Sequence, residues 1–202
     1  MRVNPAAELV LVDFDHTVTT CDSYGRFLRT VATPAQRANA RWSAGPWVLG
    51  YRLGLVSAAA LRTRVTRLVF SGRAQAEIEA AGARYASEAL PGLVRPGMMA
   101  RIHAHRDRGD TVVLVSGSLD VYLAPWCRQH GLELLCNRLE AVDGRLTGRY
   151  AGGDRGRHKA TDIRAAYDLT RYRRIHAYGD SREDRPMLAL ADERWWRGRR
   201  IA

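Results

Sequence analysis

Leu9-Val10-Leu11-Val12-Asp13-Phe14-Asp15-His16-Thr17 is the stretch on which the fold turns. Four apolar residues end on two carboxylates one residue apart, the pattern of a buried strand running out into a polar loop. Two later runs repeat it. Thr111 to Val115 ends in Ser116-Gly117-Ser118, and Ile175 to Tyr178 ends in Gly179-Asp180-Ser181. Helical patterns fall between and after these runs, as in Pro96 to Arg108, Asp120 to His130 and Thr161 to Leu169. Strands alternating with helices predict an α/β fold on a parallel sheet. In such sheets the loops at the carboxyl ends of the strands converge on one crevice, where ligands bind. Three runs that end in Asp, Ser and Asp therefore predict one polar site.

The interval from Thr20 to Leu90 breaks the alternation. It has helical periodicity, no strand pattern, and turn signals at Pro34, Gly45-Pro46 and Ser71-Gly72. The expectation is a small helical subdomain over 20–90, inserted between the first strand and a core made of residues 1–19 and 91–202. Leu139, Val142, Leu146 and Tyr150 around Asp143-Gly144 predict a hairpin. The basic tail Arg194 to Arg200, with Trp195 and Trp196, has no assigned element.

The chain of 202 residues is long enough for one core plus a modest insertion. At 46% hydrophobic and 26% charged it is globular, not disordered, collagenous or a disulfide scaffold. Cys21, Cys127 and Cys136 are an odd set without CxxC spacing, so reduced thiols and a cytoplasmic location are expected. The N-terminus lacks a signal-peptide pattern. The apolar stretch from Gly45 to Leu61 is interrupted by Arg52 and is too short to span a bilayer. Its part from Trp47 to Leu53 could lie on a membrane surface; the expectation is an internal packing face. The net charge of +11 points to an anionic partner. The basic residues are 31 arginines and one lysine, Lys159, which singles that lysine out.

Asp13 and Asp15 in one tight loop repel each other unless a cation relieves them. Hard oxygen ligands without a His/Cys cluster favour Mg²⁺. Asp180 would complete such a site, while Asp184 starts the next helix and can brace it. Ser116 and Gly117 offer a hydroxyl and backbone N–H groups as an anion cradle at a helix N-terminus. Lys159 begins a helix after a Gly- and Arg-rich loop, where its ammonium could hold a phosphate or neutralise a carboxylate.

In this order the four segments resemble the haloacid dehalogenase superfamily of phosphatases, whose motifs run DxDxT, hydrophobics ending in Ser or Thr, Lys, and GDxxxD. Here they are Asp13 to Thr17, Val113 to Ser116, Lys159, and Gly179 to Asp184. The long interval after the first motif resembles the phosphoserine-phosphatase-like branch, with a Rossmann-like core and a helical cap. The resemblance implies that Asp13 is the nucleophile and a Mg²⁺ ligand. It makes Asp15 the general acid and base, binding the metal through its carbonyl, and Asp180 the third metal ligand. Ser116, Gly117 and Lys159 would bind phosphate, Thr17 would steady the loop, and Asp184 would support the metal and Lys159. His16 stands where the family often has glycine. Asp22 falls near the acidic residue by which that branch recognises its amino acid, but it could equally cap a helix. None of the cap arginines stands out.

The expected activity is hydrolysis of a small organic phosphate, phosphoserine or a similar compound. A lipid-phosphate phosphatase and a phosphotransferase are alternatives on the same scaffold. A nucleic-acid-binding module is the rival from another class; the arginines are dispersed and no nucleic-acid-binding motif is present, so no such partner is expected.

Overall fold

A computed structural model of the protein describes residues 8–202. β1 (Leu9–Val12) leaves through an irregular helical turn at Phe14–Val18 and is followed by five helices. These are α1 (Ser23–Val31), α2 (Pro34–Ser43), α3 (Gly45–Arg52), α4 (Ala58–Phe70) and α5 (Gln75–Arg84). Then come α6 (Pro96–Asp107), β2 (Thr111–Leu119), α7 (Asp120–His130) and β3 (Glu133–Asn137), with a hairpin of β4 (Leu139–Val142) and β5 (Arg145–Tyr150). The chain ends with α8 (Lys159–Ala166), β6 (Ile175–Gly179), α9 (Arg185–Leu188), β7 (Glu193–Trp196) and β8 (Arg199–Ile201).

The main sheet has the order β3-β2-β1-β6-β7-β8. Every pairing from β3 to β7 is parallel, as the alternation predicts, and β8 returns antiparallel to β7. The basic tail thus forms the sheet edge. Its Trp195 stacks on Tyr178 at 5.9 Å, and the Arg101 guanidinium lies 4.3 Å from the Trp195 ring centre. All four side chains of β1 are fully buried, because both faces of a central parallel strand are covered. Val10 and Val12 pack with Ile102, Tyr122 and Trp126 of α6 and α7. Leu9 and Leu11 pack with Ile163, Met187 and Leu188 of α8 and α9. This three-layer arrangement sends the β1, β2 and β6 exits to one edge.

Residues 20–90 carry α1 to α5. At Gly82 of α5 they approach α7 so closely that a Cβ would stand 2.3 Å from the Val121 carbonyl oxygen. The β4–β5 hairpin turns through Asp143 and Gly144, both with positive φ. It was expected within the core, yet it packs on the inserted helices. Gly72 N donates to Leu146 O at 2.8 Å, and the Thr66 hydroxyl lies 2.6 Å from those of both Tyr24 and Tyr150. The internal packing face expected of Trp47 to Leu53 is not formed, since α3 buries none of its residues. Among the described residues no helix is long and apolar enough to cross a membrane.

Candidate active site

Asp13 follows β1 directly, and its N–H donates to Tyr178 O of β6 at 2.9 Å, which joins two of the three strand exits. Lys159, the first residue of α8, reaches into the same place. Its Nζ donates to Asp13 Oδ1 at 2.5 Å and to Asp184 Oδ1 at 2.6 Å, with all three side chains buried. Asp184 is fixed at its other oxygen, where Oδ2 accepts from Asp180 N (3.0 Å), Ser181 N (2.8 Å) and Ser181 Oγ (2.9 Å). A Cβ on Gly179 would lie 2.6 Å from Asp184 Cβ, so only glycine lets this loop fold back so tightly.

Carboxylate oxygens of Asp13, Asp180 and Asp184 lie within 4.8 Å of one another. The set is all hard oxygen and fits Mg²⁺. Asp184 already has four donors, so Asp13 and Asp180 are the carboxylates available to an ion. The Asp15 carboxylate stands outside this group. Its Oδ1 accepts from Ser23 N at 2.6 Å and its Oδ2 from Ser118 Oγ at 2.5 Å.

Electrostatics divide these acids. Burial pushes Asp13 up to about 8; Lys159 opposes the shift and the neighbouring Asp184 adds to it. Burial also raises Asp15 and Asp180, the latter with help from Asp184. Burial would raise Asp184 too, but Lys159 and the backbone N–H groups outweigh it and hold Asp184 below the usual range. Burial alone would lower Lys159, yet the two carboxylates raise it, so it stays an ammonium. One cation faces two buried carboxylates, with Asp15 and Asp180 close by, a deficit that a divalent ion would fill.

Several expected placements are revised. Ser116 and Gly117 do not sit at a helix N-terminus, because β2 runs on to Leu119 and α7 starts at Asp120. The β2–β3 register shifts between Val115 and Leu119, which releases this stretch from the ladder. Ser116 Oγ there accepts from Ser118 N at 3.1 Å. Thr17 does not brace the loop: its Oγ1 is buried without a hydrogen-bond partner. Thr19 does, donating to Cys21 O at 2.7 Å and accepting from His16 N at 3.2 Å. His16 is exposed at φ 60°, a left-handed conformation that favours glycine. It borders a cavity of about 540 Å³ shared with Asp180 and Arg197. Asp22 caps α1 by accepting from Gly25 N at 2.9 Å and is exposed.

Arg62 of α4 was not singled out by sequence reasoning. Its Nη1 and Nη2 donate to the two carboxylate oxygens of Glu183 at 2.9 and 3.0 Å, and its Nε donates to Asp154 Oδ2 at 3.1 Å. The guanidinium lies over Gly117 and Gly156, close to where a Cβ on either would stand. Asn137 holds this edge from below, with Nδ2 donating to Gly117 O and to Asp154 Oδ1. No local signal marks Arg62, whose partners lie about a hundred residues away.

Comparisons with known proteins agree with this geometry. The haloacid dehalogenase-like hydrolase family profile matches residues 10–189. Protein CicA of Caulobacter vibrioides is 34% identical over 201 aligned positions, covering 94% of this chain and 85% of CicA. A crystal structure of a Bordetella pertussis Tohama I protein of unknown function is similar at TM-score 0.79 and 23% identity, over 94% of this chain and 89% of that one. A phosphoserine phosphatase structure with a phospho-aspartyl intermediate analogue is similar at TM-score 0.63 and 21% identity, over 94% and 85%.

Proposed function

Because the chain belongs to the haloacid dehalogenase-like hydrolases, we propose that it is a Mg²⁺-dependent phosphomonoester hydrolase that acts on a small organic phosphate through an aspartyl-phosphate. The observation that carries this reading is the Lys159 ammonium held between Asp13 and Asp184. It orients the Asp13 carboxylate and offers a fixed positive charge where phosphoryl oxygens would gather. An Asp13 oxygen forms a bond to phosphorus while the bond from phosphorus to the alcohol oxygen breaks. Asp15 supplies the proton to the departing oxygen, and its raised pKa suits a group that must hold one. Asp15 then accepts a proton from water, whose oxygen bonds to phosphorus as the Asp13–phosphorus bond breaks. Inorganic phosphate leaves and both aspartates are restored.

Asp13, Asp180 and the Asp15 carbonyl are the groups that would hold Mg²⁺, with Asp184 fixing the Asp180 loop. When bound, the ion supplies charge neutralisation that lets an anionic nucleophile meet an anionic phosphate. Ser116 and the Gly117 backbone would bind the phosphoryl oxygens alongside Lys159. The phospho-aspartyl analogue in a phosphatase of the same fold supports the covalent route. Asp22 has no part in substrate selection in this reading, since it is committed to the α1 cap.

A panel of phosphomonoesters assayed with Mg²⁺ and with excess EDTA tests the reading. Phosphate release is expected only with the metal and is lost in Asp13→Asn, which keeps the volume of the side chain but cannot attack. Full turnover in EDTA or in Asp13→Asn would overturn it. Added acceptor alcohols that divert product into new esters would mark a phosphotransferase.

A further inference from the structure

Acidic residues are absent from Ser23 to Ala76, a segment that holds nine arginines. The same segment holds most of the exposed apolar surface. Of the nine large hydrophobic residues exposed among the described residues, seven lie between Trp42 and Leu55. Trp42 is 87% exposed and Leu55 80% exposed, and Leu49 and Leu53 are more than half exposed. Scattered exposed hydrophobics are ordinary, but this concentration in one short run is not. The run covers the end of α2, all of α3 and the turn after it, and Arg64 of α4 stacks on its Trp47 ring at 5.9 Å. Arg37 and Arg52 are exposed on α2 and α3.

We infer that this face of the inserted helices docks on the surface of an anionic phospholipid bilayer. Trp42, Trp47, Leu49 and Leu55 would enter the headgroup boundary, and the arginines would meet the lipid phosphates. Tryptophan rings favour that boundary, and basic residues beside an apolar face are what an interfacial helix needs. α3 is eight residues long, about 12 Å, so it can lie in the interface but cannot cross it. A second copy of the chain fits poorly, because the exposed Arg37 and Arg52 beside the apolar run would face their own copies with no acidic residue from Ser23 to Ala76 to pair them. A nucleic acid would use the arginines but leave the leucines without a partner. The inference does not depend on the catalytic reading, since docking is measured without turnover.

Sedimentation with vesicles of neutral phosphatidylcholine, and of the same lipid with about one third phosphatidylglycerol, tests it. The full chain is expected to bind the anionic vesicles at least tenfold more tightly than the neutral ones, with binding weakened by salt. A triple variant, Trp42→Ser with Leu49→Ser and Leu55→Ser, touches only exposed positions. It should lose at least tenfold in vesicle affinity while keeping its Tm and its rate on a soluble phosphomonoester. Arg37→Gln with Arg52→Gln should weaken binding to anionic vesicles alone. Failure to bind anionic vesicles at low salt, or unchanged binding by the triple variant, would overturn the inference. So would a dimer that the triple variant abolishes in the absence of vesicle binding.

Discussion

Replacing Lys159 by arginine keeps the charge and tests whether the site needs a compact ammonium. Nζ sits 2.5 Å from Asp13 and 2.6 Å from Asp184, in a slot where the lysine side chain is 4% exposed. One atom therefore serves two carboxylates at once. A guanidinium spreads its charge over a planar fork, and no single nitrogen of it can sit at that midpoint. Its extra bulk in a closed slot costs about 1–3 kcal/mol of stability from overpacking. Activity should fall further, because displacement of Asp13 misplaces the attacking oxygen, and loss of one preorganised donor lowers rates by about 10²-fold or more. Lys159→Met goes further and leaves two buried carboxylates without their cation, a loss of about 3–5 kcal/mol. The assay is kcat/KM on a phosphomonoester with Mg²⁺, paired with thermal unfolding in EDTA. Lys159→Arg should remain folded and lose at least 10²-fold in kcat/KM, whereas Lys159→Met should lose activity and unfold at a lower temperature. As the only lysine, buried and with its pKa raised, Lys159 should also resist amine-selective reagents in the native protein. A Lys159→Arg rate within threefold of the parent would refute the reasoning.

Burial pushes Asp13 up to about 8 from its ordinary 3.8, so without a bound cation it subtracts stability as pH rises between those values. Mg²⁺ needs the carboxylate and reverses this; its Kd should fall about tenfold per pH unit from 6 to 8 and then level off, read by calorimetry. Arg62→Ala removes a bidentate pair that ties the inserted helices to the core. It should make the segment around α4 more sensitive to protease and lower Tm, with charge-assisted bonds of about 1.5–3 kcal/mol at stake, and an unchanged digestion pattern would count against the tie. His16→Gly relieves a left-handed backbone worth about 1–2 kcal/mol and offsets the flexibility it adds. Its Tm should stay within a few degrees and its kcat within threefold, and a larger loss of kcat would give the imidazole an active part.

Legibility in the sequence followed the range of the contacts. β1 and β2 carry apolar runs closed by a polar residue, and β6 is a mostly apolar one interrupted by His176, so the sheet and its polar edge could be read directly from local patterns. The residues at those exits meet because a parallel sheet brings its carboxyl ends together, and Asp13 and Asp180 could be read for that reason; Lys159 stood out as the single lysine among 31 arginines, and Asp184 by its place four residues after Asp180. Where the outcome depended on a single rotamer or a register shift, the reading failed. Thr17 and Thr19 both suit a bracing role, and only the turn at His16 sends the second hydroxyl onto the loop. Ser116 looked like a helix cap because the extra length of β2 comes from a break in its ladder with β3, which no local pattern records. The tail was unreadable for a different cause. Trp195 is explained by Tyr178 and Arg101, residues distant in sequence that share its sheet edge.

Arg62 and Ser23 both bridge the inserted helices and the core at the site, and they act on different halves of the proposed chemistry. Arg62 ties α4 to Glu183, within the turn that carries Asp180 and Asp184. Ser23 N, at the start of α1, donates to Asp15 Oδ1, the acid of the proposed proton transfer. Burial is the main cause of the raised Asp15 pKa, and Tyr122 and Tyr85 close to Ser23 are part of what buries it. Movement of the helices away from the core would break the Ser23 bond, which favours the carboxylate, and admit water to Asp15, removing the larger raising effect of burial and so returning its pKa toward the ordinary value. Asp15 then holds its proton best when the insertion is seated. In that position Arg62 also fixes the turn beside the proposed metal ligands, and the seated helices would keep bulk water from a phosphorylated Asp13. A closing movement of the insertion would thus prepare the proposed proton donor and the proposed metal-binding loop together, although Ser23 and Arg62 lie on different helices.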